Sequence, residues 1–236
     1  MSAPVAIITG ASHGIGAGLV GGYRGAGYAV VGVARSFQSA DRDESDYVAV
    51  AGDIADAHTA RRAVDEARDR FGRLDTLINN AGIYIGKPFT DYTFEEYEAI
   101  TAVNLTGFFR ITQLAIAEMV ARGSGHIVNV STSLVDNADS TRPSALPALT
   151  KGGLVAASRS LAIEYASRGV RVNAVSLGVV KTPGHDPASY DGLAALHPLG
   201  RTGEVSDVVD AILYLERATF VTGDTLHVDG GQAAGR

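Results

Sequence analysis

Apolar residues fall in short unbroken runs, separated by longer stretches in which they recur every three or four positions. The runs are VAIITG (5–10), YAVVGVA (28–34), VAVAGDI (48–54), LDTLINNAG (74–82), HIVNVSTS (126–133), VRVNAVSLG (170–178) and TLHVDGG (225–231). Continuous short runs rich in β-branched residues, closed by Gly, Asn or Asp, predict strands buried on both faces. The intervening stretches predict helices: one from the first glycine turn to about Arg24, a charged one around ARRAVDEARDRFG, a long one over roughly 93–122 and one over roughly 144–167. Strand and helix alternate, so the expected fold is α/β, a doubly wound parallel sheet with helices on both faces. No linker, repeat or low-complexity tract interrupts the pattern, and 1–236 is expected to be a single domain. Two segments, 133–143 (SLVDNADSTRP) and 181–198 (KTPGHDPASYDGLAALHP), read as loops that follow strands. Ligands of such sheets bind beyond the carboxyl ends of the strands, so these loops are expected to shape a substrate pocket.

Composition narrows the function classes. The chain has 236 residues, 46% of them hydrophobic, enough for a sizeable core. A net charge of −6 without a long run of one sign argues against nucleic acid or an anionic membrane as partner. With no cysteine, disulfides, thiol nucleophiles and thiolate metal sites are excluded. MSAPVAIITG enters a strand with neither a basic segment nor a long apolar run, so no signal peptide or membrane span is read and a cytoplasmic protein is expected. The six histidines (13, 58, 126, 185, 197, 227) lack metal-ligand spacing, and no metal is expected.

TGASHGIG (9–16) closes the first strand and opens the first helix. Gly10, Gly14 and Gly16 let the backbone turn tightly and approach a pyrophosphate, and the helix N-terminus supplies amide donors and partial positive charge. The candidate cofactor residues here are Gly10, Ser12, His13, Gly14, Ile15 and Gly16. Dinucleotide folds usually place an acid about 20 residues on, where it holds the adenosine ribose. Here the second strand ends in Ala34, followed by Arg35. Without that carboxylate a 2′-phosphate is not repelled, and a guanidinium can grip it, so NADP(H) is expected over NAD(H). His13 is either a further donor near this phosphate or a loop residue with a local hydrogen bond.

Taken together, TGASHGIG, Asp53–Ile54, NNAG (79–82), VNLTG (103–107), NVSTS (129–133), TKGG (150–153), NAVSLG (173–178) and VDGG (228–231) resemble the short-chain dehydrogenase/reductase family over essentially the whole length. The resemblance implies a Rossmann-type domain with a seven-stranded parallel sheet. It implies hydride transfer between a nicotinamide and a carbonyl or alcohol, and a homotetramer or homodimer joined through the helices around 93–122 and 144–167. It would place Asp53 and Ile54 beside adenine, and Asn80, Ala81 and Gly82 under the adenosine ribose. Asn104 would carry a proton-relay water. Lys151 would bind the nicotinamide ribose and lower the pKa of the catalytic acid. Gly178 and Thr182 would meet the nicotinamide end.

The sequence departs from that pattern where the acid should be. The family's catalytic tyrosine lies four residues before the lysine, on the same helical face; here that position is Pro147. The catalytic serine aligns with Thr132 or Ser133, and Leu177 replaces the proline usual before Gly178. Proline is tolerated in a helix's first turn, and Ser144 is a candidate cap for this one. Neither restores a general acid, which contributes about 10²–10⁴-fold to rate. Candidate substitutes are Ser144, Tyr84, Tyr190, His185, His197, Asp136 and Lys151 itself, each with a plain structural alternative. Three functions stay open: an NADP(H)-dependent oxidoreductase of small carbonyl or alcohol substrates with an altered acid, a non-catalytic nucleotide binder, or a non-redox lyase or isomerase.

Overall fold

The computed structural model describes residues 2–37, 44–184 and 190–235. All seven predicted strands form: β1 Val5–Thr9, β2 Ala29–Ala34, β3 Tyr47–Ala51, β4 Thr76–Asn79, β5 Gly125–Thr132, β6 Val170–Leu177 and β7 Thr225–Val228. They make one parallel sheet in the order β3-β2-β1-β4-β5-β6-β7. The order reverses beside β1, which leaves a crevice between the β1 and β4 carboxyl ends.

The helices are α1 Gly14–Gly25, α2 Ala57–Phe71, α3 Phe94–Thr101, α4 Phe108–Arg122, α5 Ala145–Tyr165, α6 Tyr190–Ala194 and α7 Val205–Arg217. Alternate strand residues feed two cores. Val5, Ile7, Val31, Leu77, Ile127 and Val172 pack against α2, α4 and α5. Ala6, Ile8, Val30, Ile78, Val128 and Val175 pack against α1 and α7. The sheet is therefore covered on both sides, as its continuous apolar strands require.

The alternation of runs predicts no helix over 205–217, yet α7 supplies Val208, Ile212 and Leu215 to the second core. A second difference lies in the predicted loop 181–198, where α6 occupies Tyr190–Ala194. The long helix predicted over 93–122 is interrupted by a π-helical segment, Ala102–Gly107. Ile100, Ile111, Ala115 and Met119 of this stretch are fully buried, while Phe94, Tyr97 and Phe109 are exposed.

Candidate active site

The glycine turn is built from its neighbours. Gly10 and Gly14 have φ of 69° and 55°, the left-handed region that glycine enters freely. A Cβ on Gly16 would overlap the Gly10 carbonyl. Asn80 fastens the turn to β4, donating from Nδ2 to the carbonyls of Thr9 (2.9 Å) and Gly10 (3.3 Å). Thr9 Oγ1 accepts from the Asn80 and Ala81 amides at 3.1 and 3.0 Å. His13 occupies the N-cap of α1 without a side-chain capping bond, so the first amides of α1 keep their hydrogens for a ligand. Its ring makes the local contact of the plainer expectation, Nδ1 lying 3.1 Å from Ser12 Oγ.

Three cavities run along the carboxyl edge of the sheet. One of about 300 Å³ is lined by Ser12, Arg35, Asp53 and Ile54, among others. It shares Gly10, His13, Ala81, Gly82 and Ile83 with a second of about 360 Å³ that contains Gly14, Ile15, Gly16, Pro147 and Lys151. A third, of about 530 Å³, opens from the second through Ile15, Tyr84, Thr132, Leu177, Gly178 and Thr182. The groove thus brings together every predicted cofactor residue. At its Arg35 end no carboxylate among the described residues pairs with that guanidinium. The Asp53 carboxylate accepts from the Ala55 amide at 2.9 Å, while Ile54 is buried against Gly107.

Of the predicted catalytic residues, Thr132 and Lys151 line the second cavity, Thr132 and Ser133 the third, and Asn104 lines neither. Lys151 Nζ donates to the Val130 carbonyl at 2.8 Å, and a Cβ on Gly82 would lie 2.8 Å from it. Burial lowers the pKa of this ammonium to about 8. Thr132 lines both the second and third cavities. Ser133 is buried, and its hydroxyl donates to Gln232 Oε1 at 2.9 Å. Asn104, inside the π segment, is buried too: Oδ1 accepts from the Ile83 amide (2.9 Å), and Nδ2 donates to the Ile83 carbonyl and to Thr150 Oγ1 (both 3.1 Å). Its side chain ties the segment after β4 to α5, the helix of Lys151.

Pro147 sits in the first turn of α5, where its missing N–H leaves no bond unmade. Ser144 holds the N-cap position but does not cap. Its hydroxyl donates to the Arg142 carbonyl at 2.8 Å and lies 2.8 Å from the Tyr84 phenol oxygen. Of the other substitutes, Asp136 pairs with His227 at 3.1 Å and lines none of the three cavities. His197 is buried behind Gly178, its Nε2 accepting from the Val179 amide at 3.0 Å. It lines a separate cavity of about 370 Å³ with Arg201, Asp207 and His227, which holds no predicted cofactor residue. Tyr190 donates to the Thr182 carbonyl at 3.0 Å, and His185 lies outside the described residues. The sequence reading missed Thr9 and Gln232, whose roles arise only through partners 70 to 100 residues away; Thr9 bonds Asn80 across |i−j| of 71, and Ser133 meets Gln232 across 99.

Residues 10–233 match the family profile described as enoyl-(acyl carrier protein) reductase. The chain belongs to the short-chain dehydrogenase/reductase family. Within this family it is 33% identical over 237 residues to the 3-oxoacyl-[acyl-carrier-protein] reductase FabG of Escherichia coli K12, covering 96% of each chain. The fold superposes with a TM-score of 0.90 on a gluconate 5-dehydrogenase from Burkholderia cenocepacia in complex with NADP and tartrate, at 31% identity over 100% of this chain and 97% of that one. A 3-ketoacyl-(acyl-carrier-protein) reductase from Brucella melitensis complexed with NADH gives 0.88 at 30% identity, covering 98% and 99%. The groove of this short-chain dehydrogenase/reductase fits such a dinucleotide: only glycine fits at Gly10 and Gly16, the α1 amides face it, and a cation stands at each end.

Proposed function

We propose that this protein is an NADP(H)-dependent oxidoreductase of a small carbonyl or alcohol substrate, working with an altered catalytic acid. The observation that carries the reading is the continuous groove from Arg35, with Ala34 in place of an acid, to Lys151, with Pro147 one helical turn before it. Gly10, Gly14 and Gly16 admit the pyrophosphate to the α1 N-terminus. Arg35 and Ser12 hold the 2′-phosphate end, Asp53 and Ile54 the adenine, and Ala81 and Gly82 line the floor. Lys151 holds the nicotinamide ribose, with Gly178 and Thr182 at the ring. When bound, the cofactor supplies or accepts a hydride at the nicotinamide. Thr132 Oγ1 hydrogen-bonds the substrate oxygen; Ser133, committed to Gln232, holds the loop. NAD(H) is the weaker alternative.

The non-redox reading would move protons through Lys151, Asp136 and the hydroxyls of STS, and the pairing of Asp136 with His227 outside the groove weighs against it. The non-catalytic reading rests on Pro147 alone and is separated by turnover. Membership of this family supports a homodimer or homotetramer, and we take the protein to be cytoplasmic.

Calorimetry and nicotinamide absorbance test the proposal together. NADPH is expected to bind at least tenfold more tightly than NADH. Arg35→Ala is expected to weaken NADPH about ten- to a hundredfold, the worth of charge-assisted hydrogen bonds, and NADH within about twofold. Lys151→Met is expected to abolish reduction of a carbonyl panel. Wild-type protein that binds neither nucleotide overturns the proposal.

A further inference from the structure

We propose that the proton donor has moved from the helix of Lys151 to the segment after β4, and that Tyr84 is the general acid. The inference rests on the oxidoreductase reading and names the group that reading lacks.

Tyr84 stands where the chemistry has to happen. It lines both the cavity of Lys151 and Pro147 and the adjoining cavity of Thr132. Six residues line both cavities, and three of them carry hydroxyls: Tyr84, Thr132 and Thr182. A phenol is a far stronger acid than an aliphatic hydroxyl and can pass its proton to an alkoxide. The phenol oxygen is held against the N-terminus of α5, 2.8 Å from Ser144 Oγ. Ser144 has one hydroxyl hydrogen, and it goes to the Arg142 carbonyl. Tyr84 is therefore the donor in its bond with Ser144. Ser144 precedes Pro147 by three residues, about 4.5 Å along the helix axis. The phenol thus stands at the N-terminal end of α5, within about one turn of Pro147 and in the same cavity. A side chain on Gly86 would sit 2.5 Å from the phenol oxygen, so glycine there leaves it room.

The surroundings also suit the anion left after transfer. The N-terminus of the 21-residue α5 is electropositive. Lys151 lines the same cavity. Ser144 can turn its hydrogen from the Arg142 carbonyl to the phenolate. In the reducing direction a hydride forms the new C–H bond at the carbonyl carbon. The carbonyl π pair takes the Tyr84 proton, so the phenol O–H breaks and the alcohol O–H forms. NADPH becomes NADP⁺, and solvent returns a proton to Tyr84, which is 58% exposed.

The test is Tyr84→Phe, which removes one exposed oxygen. The variant is expected to bind NADPH within about threefold of wild type by calorimetry, while carbonyl reduction falls about 10²–10⁴-fold. Tyr84→His, which keeps a proton donor, is expected to recover part of the rate below pH 6.5, the ordinary histidine pKa. If Tyr84→Phe binds NADPH and turns over within about threefold of wild type, the acid is elsewhere and the inference is overturned, while the oxidoreductase reading stands. A wild-type protein without NADPH binding overturns both.

Discussion

At the residue scale, Lys151 makes its consequences measurable without any substrate. Lys151 is half-buried with its ammonium on one carbonyl, and desolvation lowers its pKa from 10.5 to about 8. Between those two values the unfolded chain binds a proton that the folded one does not. Stability therefore rises with pH across that window, and below about pH 8 the folded protein carries the cost of the buried charge in full. Lys151→Met removes the dependence. The unfolding free energy of the wild type from urea titrations is expected to climb relative to Lys151→Met from pH 8 to pH 10, by on the order of 2 kcal/mol. Parallel profiles for the two proteins would show that the lysine is solvated. This residue was singled out because TKGG is one of the motifs that carry the family resemblance. The choice between Thr132 and Ser133 was not. Consecutive residues leaving a strand point to opposite sides, and only the partner Gln232, 99 positions away, shows which one turned inward.

At the element scale, the strands were readable because a sheet covered on both faces leaves no polar alternation to blur them. Helix α7 was the omission. Its buried residues Val208, Ile212 and Leu215 recur at helical spacing, so the signal was present in VSDVVDAILYLER. What strand–helix alternation hides is the pairing of α7 with α1, which depends on Gly18 and Gly22, two glycines beyond the TGASHGIG turn. A Cβ on Gly18 would overlap Val205, and one on Gly22 would overlap Val209, so the two helices approach over bare backbone. The π segment was equally invisible, since VNLTG carries an ordinary helical pattern, yet it sets Asn104 under Ile83. Gly22→Leu is expected to force α1 from α7 and destabilise the fold by about 1–3 kcal/mol in urea unfolding, with folded protein still binding NADPH because the glycine turn lies at the opposite end of α1. A variant as stable as wild type would mean that α7 gives way freely.

At the scale of the whole molecule, what remains is the surface that the cores do not use. Phe94 and Tyr97 on α3, Phe109 on α4, and Leu149 and Ile163 on α5 are 68%, 42%, 59%, 62% and 79% exposed. Single exposed apolar residues need no explanation, but several large ones on three consecutive helices do. Those helices are the ones for which the family resemblance implies subunit contact. Helix α5 also carries Pro147 and Lys151, with Ser144 at its N-cap, so a second copy resting on it would stiffen the site from behind. A closed dimer would bring the same face of each copy together, doubling every substitution made in it. Phe109→Asp combined with Leu149→Asp places two charges on that face without touching either core, so the monomer fold is expected to survive. Sedimentation equilibrium is expected to show wild-type protein as a dimer or tetramer and the double variant as monomer, with NADPH affinity retained. A wild type that sediments as a monomer at micromolar concentration would remove the interface, and would leave Phe109 and Leu149 exposed for a reason the fold does not supply.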